Sequence, residues 1–176
     1  SSKGPRLSCE LSLAGRYLVL VPFSKMISVS RKIQDAGERQ RLKRLITSIR
    51  PENFGVIIRT VAKGKDVAEL DRDLKSLVQK WQETRKSLKS SEPPAKVLGE
   101  VERSSALVRD VLNESFDSIT VDDKEAYENL RDYMGEIAPD KVDLIKLHTG
   151  KGKLFEARGI EHQIKTLFGQ SVSLPG

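Results

Sequence analysis

Apolar and polar residues alternate strictly through Leu7-Ser8-Cys9-Glu10-Leu11-Ser12-Leu13. That period of two predicts a half-buried strand with Leu7, Cys9, Leu11 and Leu13 on one face, and it reads Cys9 as a small buried apolar residue. Ala14-Gly15-Arg16 supplies a turn, and the unbroken run Tyr17–Val21 predicts a second strand buried on both faces, with Pro22 ending its ladder or marking an edge. Lys25–Ser30 reads as a third short strand. The pattern then lengthens to helical spacing. Leu42, Leu45, Ile46 and Ile49 follow Asp35 and Glu38, an Asp-x-x-Glu pair suited to a helix start in which Glu38 reaches back to the cap, and Pro51 closes the helix. Gly55–Val61 is a dense β-branched run and predicts a central strand. Asp66 and Glu69 repeat the capping pattern, and Val67, Leu70, Leu74, Leu77, Val78, Trp81 and Leu88 trace one stripe, so a long helix is predicted over 67–89 with Trp81 in the core.

Ser90-Ser91-Glu92-Pro93-Pro94 is the one good linker candidate. Beyond it the pattern predicts a short strand near Val97, a helix over 101–113, a strand over 117–121 and a helix over 124–135 with Tyr127, Leu130 and Met134 inward. A strand over 141–147, a Gly/Lys loop at 149–153, a helix over 159–168 and a final strand over 170–174 complete the reading. The alternation is that of a mixed α/β chain.

The 176 residues suffice for one generous domain or two small ones, and no stretch approaches the roughly 20 apolar residues that cross a bilayer. Residues 1–5 include no initiator Met and no apolar segment resembling a signal peptide, which leads to the expectation of a piece of a longer protein. With Cys9 as the single cysteine, no intrachain disulfide and no cysteine-based zinc site can form, and a reducing, cytoplasmic setting is expected. The net charge of +6 hides an asymmetry: residues 1–95 carry 20 Lys+Arg against 10 Asp+Glu, whereas residues 96–176 carry 11 against 15. Only the first part is expected to meet an anionic partner, although an ordinary solvated basic surface has the same composition.

A self-contained active site is not legible. His148 and His162 lack metal-ligand spacing, and Asp122, Asp123, Asp140 and Asp143 are read as helix-capping and solvated rather than as a metal set. Walker, Gly-x-Ser-x-Gly and His-Glu-x-x-His patterns do not occur. The basic part offers something more specific. Arg59 and Thr60 close a buried strand just before Val61-Ala62-Lys63-Gly64-Lys65. A guanidinium fork at a strand end can grip phosphate oxygens, a threonine hydroxyl can add a donor, and loop N–H groups can add more. An Arg in a structural ion pair beside a Thr favoured in strands fits the same residues.

At this point the sequence resembles the ribonuclease E/G family. Lys3-Gly4-Pro5-Arg6-Leu7 and Ser12–Pro22 look like the passage from that family's S1 domain into its 5′-sensor; Ile27–Ile33 is similar to its Ile-Ser-Arg-Arg-Ile element, with Lys32 in place of a frequent second Arg. Phe54-Gly55-Val56-Ile57-Ile58-Arg59-Thr60 is similar to its Gly-(apolar)₃-Arg-Thr signature, and the helix holding Asp73, Leu74 and Trp81 fits its next helix. Lys146–Gly150, Leu154-Phe155, Ile160–Ile164 and Val172–Gly176 look like the end of its ribonuclease-H-like subdomain. The resemblance implies an α+β protein made of two small mixed α/β subdomains. Residues 1–14 would end the S1 domain, 15–90 would form a 5′-sensor with short antiparallel strands and a long helix, and 91–176 would form the ribonuclease-H-like subdomain.

It further implies that Arg59 and Thr60 bind the 5′-monophosphate of single-stranded RNA directly, that Gly15 and Val19 line or support the pocket, that Arg31 helps to hold or contact the terminal nucleotide, and that Lys3 contacts RNA. The full-length family members are magnesium-dependent endoribonucleases of RNA processing and decay, so the resemblance places a catalytic Asp pair, the magnesium and the homo-oligomer contacts outside this chain. Cys9 does not match the family's zinc-linking cysteines. No catalytic residue, metal ligand or cofactor is therefore expected among these residues, and the chain is expected to cleave nothing alone. The rival expectations are a general RNA-binding or ribosome-associated module indifferent to the 5′ end, and a scaffold whose basic helices contact protein.

Overall fold

Leu18 and Leu20 are fully buried and Val19 and Val21 half-buried, so the run after Gly15 has a core face and a less covered one. It forms strand β2 (Leu18–Pro22) at the middle of a four-stranded sheet in the order β1-β2-β4-β3. The structure is a computed structural model that describes residue 4, residues 7–99 and residues 102–169. β1 (Leu13–Ala14) and β4 (Phe54–Ile58) flank β2 antiparallel, while β3 (Ile27–Val29) lies parallel to β4. The register aligns Leu18 with Ile58, Leu20 with Val56 and Val29 with Ile58, which puts these side chains on one face. That face is covered by α1 (Ala36–Ile49), through Leu42 and Ile46, and by α2 (Val67–Ser90), through Leu70, Leu74, Leu77 and Trp81.

The two helices form for the reasons their sequence suggests, with one difference. Asp35 accepts from the Glu38 N–H at the start of α1, but the Glu38 carboxylate turns away to Arg41 and the Gly64 N–H instead of reaching back. At α2 both halves of the capping box are present, with Asp66 accepting from the Glu69 N–H and Glu69 from the Asp66 N–H. Trp81 is core, as its stripe predicts, whereas Val67 and Leu88 at the stripe's ends are exposed.

The first predicted strand is corrected. Only Leu13 and Ala14 pair, and residues 7–12 are irregular, with Leu7, Leu11 and Cys9 exposed. An alternating segment becomes a strand only where a neighbour offers a ladder and a covered face, and β1 is an edge that meets β2 over two residues. The reading of Cys9 as buried fails with it. β4 also ends earlier than predicted: Arg59 is extended, and Thr60–Ala62 is a 3₁₀ turn.

The chain divides into two compact units, 1–100 and 101–176, so the proline-rich stretch lies within the span of the first. The second has its own core of Val108, Leu112, Leu130, Met134, Ala138 and Ile145. It contains α3 (Arg103–Val111), β5 (Ile119–Val121), α4 (Lys124–Ile137), β6 (Ile145–Leu147), α5 (Leu154–Ala157) and α6 (Ile160–Leu167), with β5 and β6 parallel. The predicted strand near Val97 is irregular, and residues 139–144 form a 3₁₀ helix where a longer strand is predicted. The predicted strand over 170–174 and Val101 lie outside the described residues. Among the described residues no helix is long and apolar enough to cross a membrane.

Candidate functional site

Because β3 and β4 run parallel and β2 runs against them, the carboxyl ends of β3 and β4 meet the amino end of β2 at one end of the sheet. Three chain segments distant in sequence converge there: the 15–17 turn, Ser30 with its successors, and Arg59–Lys65. The Arg59 N–H donates to the Tyr17 carbonyl at 2.9 Å, extending the β2–β4 ladder by one step, and the Ser30 N–H donates to the Ile58 carbonyl at 2.8 Å. Turn 15–18 is closed by the Gly15 N–H on the Leu18 carbonyl at 2.8 Å.

Arg59 is held in this arrangement by the opposite turn. Its Nη1 donates to the Gly15 carbonyl at 2.9 Å and to the Arg16 carbonyl at 3.4 Å. Thr60 is exposed, and its hydroxyl lies 2.8 Å from that of Ser30. Two hydroxyls carry two hydrogens, and their mutual bond uses one of them, which leaves the pair able to donate to an anion. Arg31 and Lys32 follow Ser30 on the surface, and this loop is braced from behind by Arg39, whose Nη1 donates to the Ser30 and Ile33 carbonyls. Gly15, Arg31, Arg59 and Thr60 thus come to one end of the sheet. Val19 lies one residue into β2 from that end, opposite Ala14 and Ile57, on the face away from the helices. Lys3 lies outside the described residues.

The loop after Thr60 differs from its expected part. The N–H groups of Ala62, Lys63 and Lys65 bond to carbonyls of Arg59, Thr60 and Ala62, and the Gly64 N–H is taken by Glu38. The 3₁₀ turn and Glu38 thus engage the N–H groups of residues 62–65, the later part of the loop. Lys63 and Lys65 extend the positive charge, with Lys65 bound to Glu69 at 3.1 Å and placed 5.7 Å from the Tyr17 ring centre. Arg16 is buried, with its guanidinium carbon 5.1 Å from the same ring. The Tyr17 hydroxyl donates to Glu69 at 3.2 Å, and burial pushes its pKa above the ordinary value. Glu38 is held down at about 2, chiefly by its paired bonds from Arg41 at 2.7 and 2.8 Å and then by the Gly64 N–H.

The residue whose role here sequence reasoning missed is Asp73. Its carboxylate accepts from the backbone N–H groups of Arg16, Tyr17 and Leu18 at 3.1, 2.9 and 2.9 Å. A signal was available: Asp73 stands between Leu70 and Leu77 at helical spacing, a carboxylate on the apolar stripe. Among the described residues no group of three or more His, Cys, Asp or Glu is placed to hold a metal ion. A shallow groove on α1 and α2, lined by Ile49, Pro51, Leu74 and Val78, carries the charges Asp71 and Lys75, which pair with each other at 2.6 Å.

The fold and site describe a mixed α/β protein with cationic side chains gathered at one sheet end. The Ribonuclease E/G family model matches residues 12–176, and the chain belongs to that family. It is 31% identical to ribonuclease G of Escherichia coli strain K12 over 98% of its own length and 35% of that protein. It is 33% identical to ribonuclease E of Haemophilus influenzae over 99% of its length and 19% of that protein. The chain thus spans about a third of the ribonuclease G relatives it matches, and the family is one of RNA-processing endoribonucleases.

Proposed function

We propose that this chain binds the 5′-monophosphate end of single-stranded RNA, and that the whole protein to which it corresponds is a magnesium-dependent endoribonuclease. The observation that supports this reading is the convergence of Arg59, the Thr60–Ser30 hydroxyl pair and the Arg31–Lys32 loop at one sheet end, with Arg59 aimed by the Gly15 turn. A terminal phosphate carries between one and two negative charges near neutrality and three acceptor oxygens, which suits a guanidinium, a hydroxyl and further cations. A 5′-hydroxyl offers that guanidinium no anion, and a triphosphate is bulkier than a site built for one group. Gripping the 5′ end raises the effective concentration of downstream RNA at a cleavage centre elsewhere in the protein. We assign the magnesium ion to residues outside those described, and the second unit to a supporting role. Self-association is likewise assigned to the whole protein. The isolated chain is expected to cleave nothing.

Matched oligoribonucleotides bearing a 5′-phosphate or a 5′-hydroxyl test the reading by fluorescence anisotropy. Wild type should favour the phosphorylated strand about tenfold or more, since hydrogen bonds to charged groups contribute about 1.5–3 kcal/mol. Arg59→Ala should remove the preference, and Thr60→Val should reduce it. Equal binding of both strands by the wild-type chain, with a steep salt dependence, would instead support a general RNA-binding module. Metal-dependent cleavage by the purified chain would overturn the assignment of the cleavage centre elsewhere.

A further inference from the structure

Arg59 does not hold its own aim. Its Nη1 rests on two carbonyls of turn 15–18, which the Gly15 N–H closes on the Leu18 carbonyl and the Arg59 N–H joins to β4 at Tyr17. The turn is short, it follows an edge strand that pairs over two residues, and the segment before it is irregular. What lies beneath it is Asp73. Oδ1 accepts from the Arg16 N–H, and Oδ2 accepts from both the Tyr17 and Leu18 N–H groups, so one carboxylate gathers three successive backbone donors. Three donors converging on one group form an anion-binding nest, filled here by the protein's own side chain. The fit is close: a Cβ on Gly15 would come within 2.7 Å of Oδ1 and 2.8 Å of Oδ2. Glycine at position 15 is therefore what lets the carboxylate approach.

We propose that Asp73 is the positioning residue of the 5′-phosphate site: its carboxylate fixes turn 15–18, and the turn's carbonyls aim Arg59. The proposal rests on the 5′-phosphate reading above and adds a residue that touches neither RNA nor phosphate. Asp73 sits on α2, whose capping box and four buried stripe residues anchor it to the sheet. The helix thereby gives the turn a fixed point in addition to its own closing bond and its bond to β4. Asp is suited to the task because both its oxygens only accept when ionised; Asn at this place would turn an NH2 group toward N–H donors. Burial and the three N–H donors act in opposite directions on this carboxyl, and burial prevails, raising its pKa. The nearby Arg59 cation helps to hold the charged form.

The same pair of 5′-phosphate and 5′-hydroxyl oligoribonucleotides tests it on the full 176-residue chain. Asp73→Asn should lower the 5′-phosphate preference about fivefold or more, the scale of a weakened charge-assisted contact, and leave 5′-hydroxyl binding unchanged. Leu74→Ala, a buried neighbour on the same helix, serves as the control for general loosening: its thermal midpoint should fall while the preference stays. Nitrogen-15 NMR provides a signature that mere destabilisation does not: the amides of Arg16, Tyr17 and Leu18 should move in Asp73→Asn and not in Leu74→Ala. If Asp73→Asn does not fold, Asp73→Glu replaces it, keeping charge but shifting the carboxylate by one methylene, and should show the same loss. A full preference retained in the folded Asp73 variant, while Arg59→Ala abolishes it, overturns the positioning role alone. Absence of any preference in the wild-type chain overturns the 5′-phosphate reading and this role together.

Discussion

Glu38 and Asp73 flank the same sheet end, and their surroundings shift their pKa values in opposite directions. Glu38 accepts a two-pronged pair from Arg41 and the Gly64 N–H, so its anion is favoured and its pKa falls to about 2. Asp73 lies deeper, and loss of hydration outweighs its hydrogen bonds. The consequence for Glu38 has a definite sign. A carboxyl whose folded pKa lies below its ordinary 4.5 stabilises the fold above that value, and the contribution is lost as pH falls toward about 2. Glu38→Gln should therefore unfold more easily than wild type at pH 6, and the difference should vanish by the time acid has protonated Glu38 in both folded and unfolded chains. Thermal melts at a series of pH values check this; a difference that stays constant into strong acid would contradict it. Because the pair is partly exposed, the effect should be small and should shrink in salt.

Among the elements, α2 does most to place the site. It buries Leu70, Leu74, Leu77 and Trp81 against the sheet, carries Glu69 and Asp73 to the strand ends, and begins with a complete capping box. Asp66→Ala removes the acceptor for the Glu69 N–H and should cost about 1 kcal/mol, as lost N-caps typically do. Chemical denaturation measures it, and no change in the midpoint would mean that water replaces the cap without penalty. α1 and α2 are legible in the amino-acid sequence because their apolar stripes and caps are local signals. β1 is not. The alternation over residues 7–13 is as regular as that of a strand, yet only Leu13 finds a partner along with Ala14, since pairing depends on what lies alongside. For the same reason Cys9 is exposed instead of buried.

For the molecule as a whole, the site belongs to one unit. Every described residue of the strand-end cluster falls within the first unit, which also holds the basic surplus, while the second unit has a separate core around Leu130 and Met134. Met134→Ala should destabilise the second unit by about 2–5 kcal/mol, the range for large-to-small changes in a core. It should leave the 5′-phosphate preference intact. Hydrogen exchange resolved by unit, read beside the oligonucleotide titration, checks both halves; loss of the preference would show that the second unit contributes to binding.

The amino-acid sequence by itself determined the mixed α/β class, the two long helices with their caps, Trp81 as core, the basic first part and the family. Those features depend on periodicity, on short-range capping and on the order of motifs along the chain, all of which are readable one segment at a time. It also marked Arg59 and Thr60 as candidate ligands. Only the tertiary structure decided their setting. Strand order put the carboxyl ends of β3 and β4 beside the start of β2, and so joined Gly15, Ser30 and Arg59 across gaps of 15 and 29 residues. Val19, equally a candidate, lies one residue into β2, paired with Ile57 on the face away from the helices. The N–H groups of residues 62–65 were engaged by a 3₁₀ turn and Glu38, and the Asp73 carboxylate, local to a helix in sequence, became the base of a distant turn. Such contacts are set by which elements pack together, and no local pattern records them.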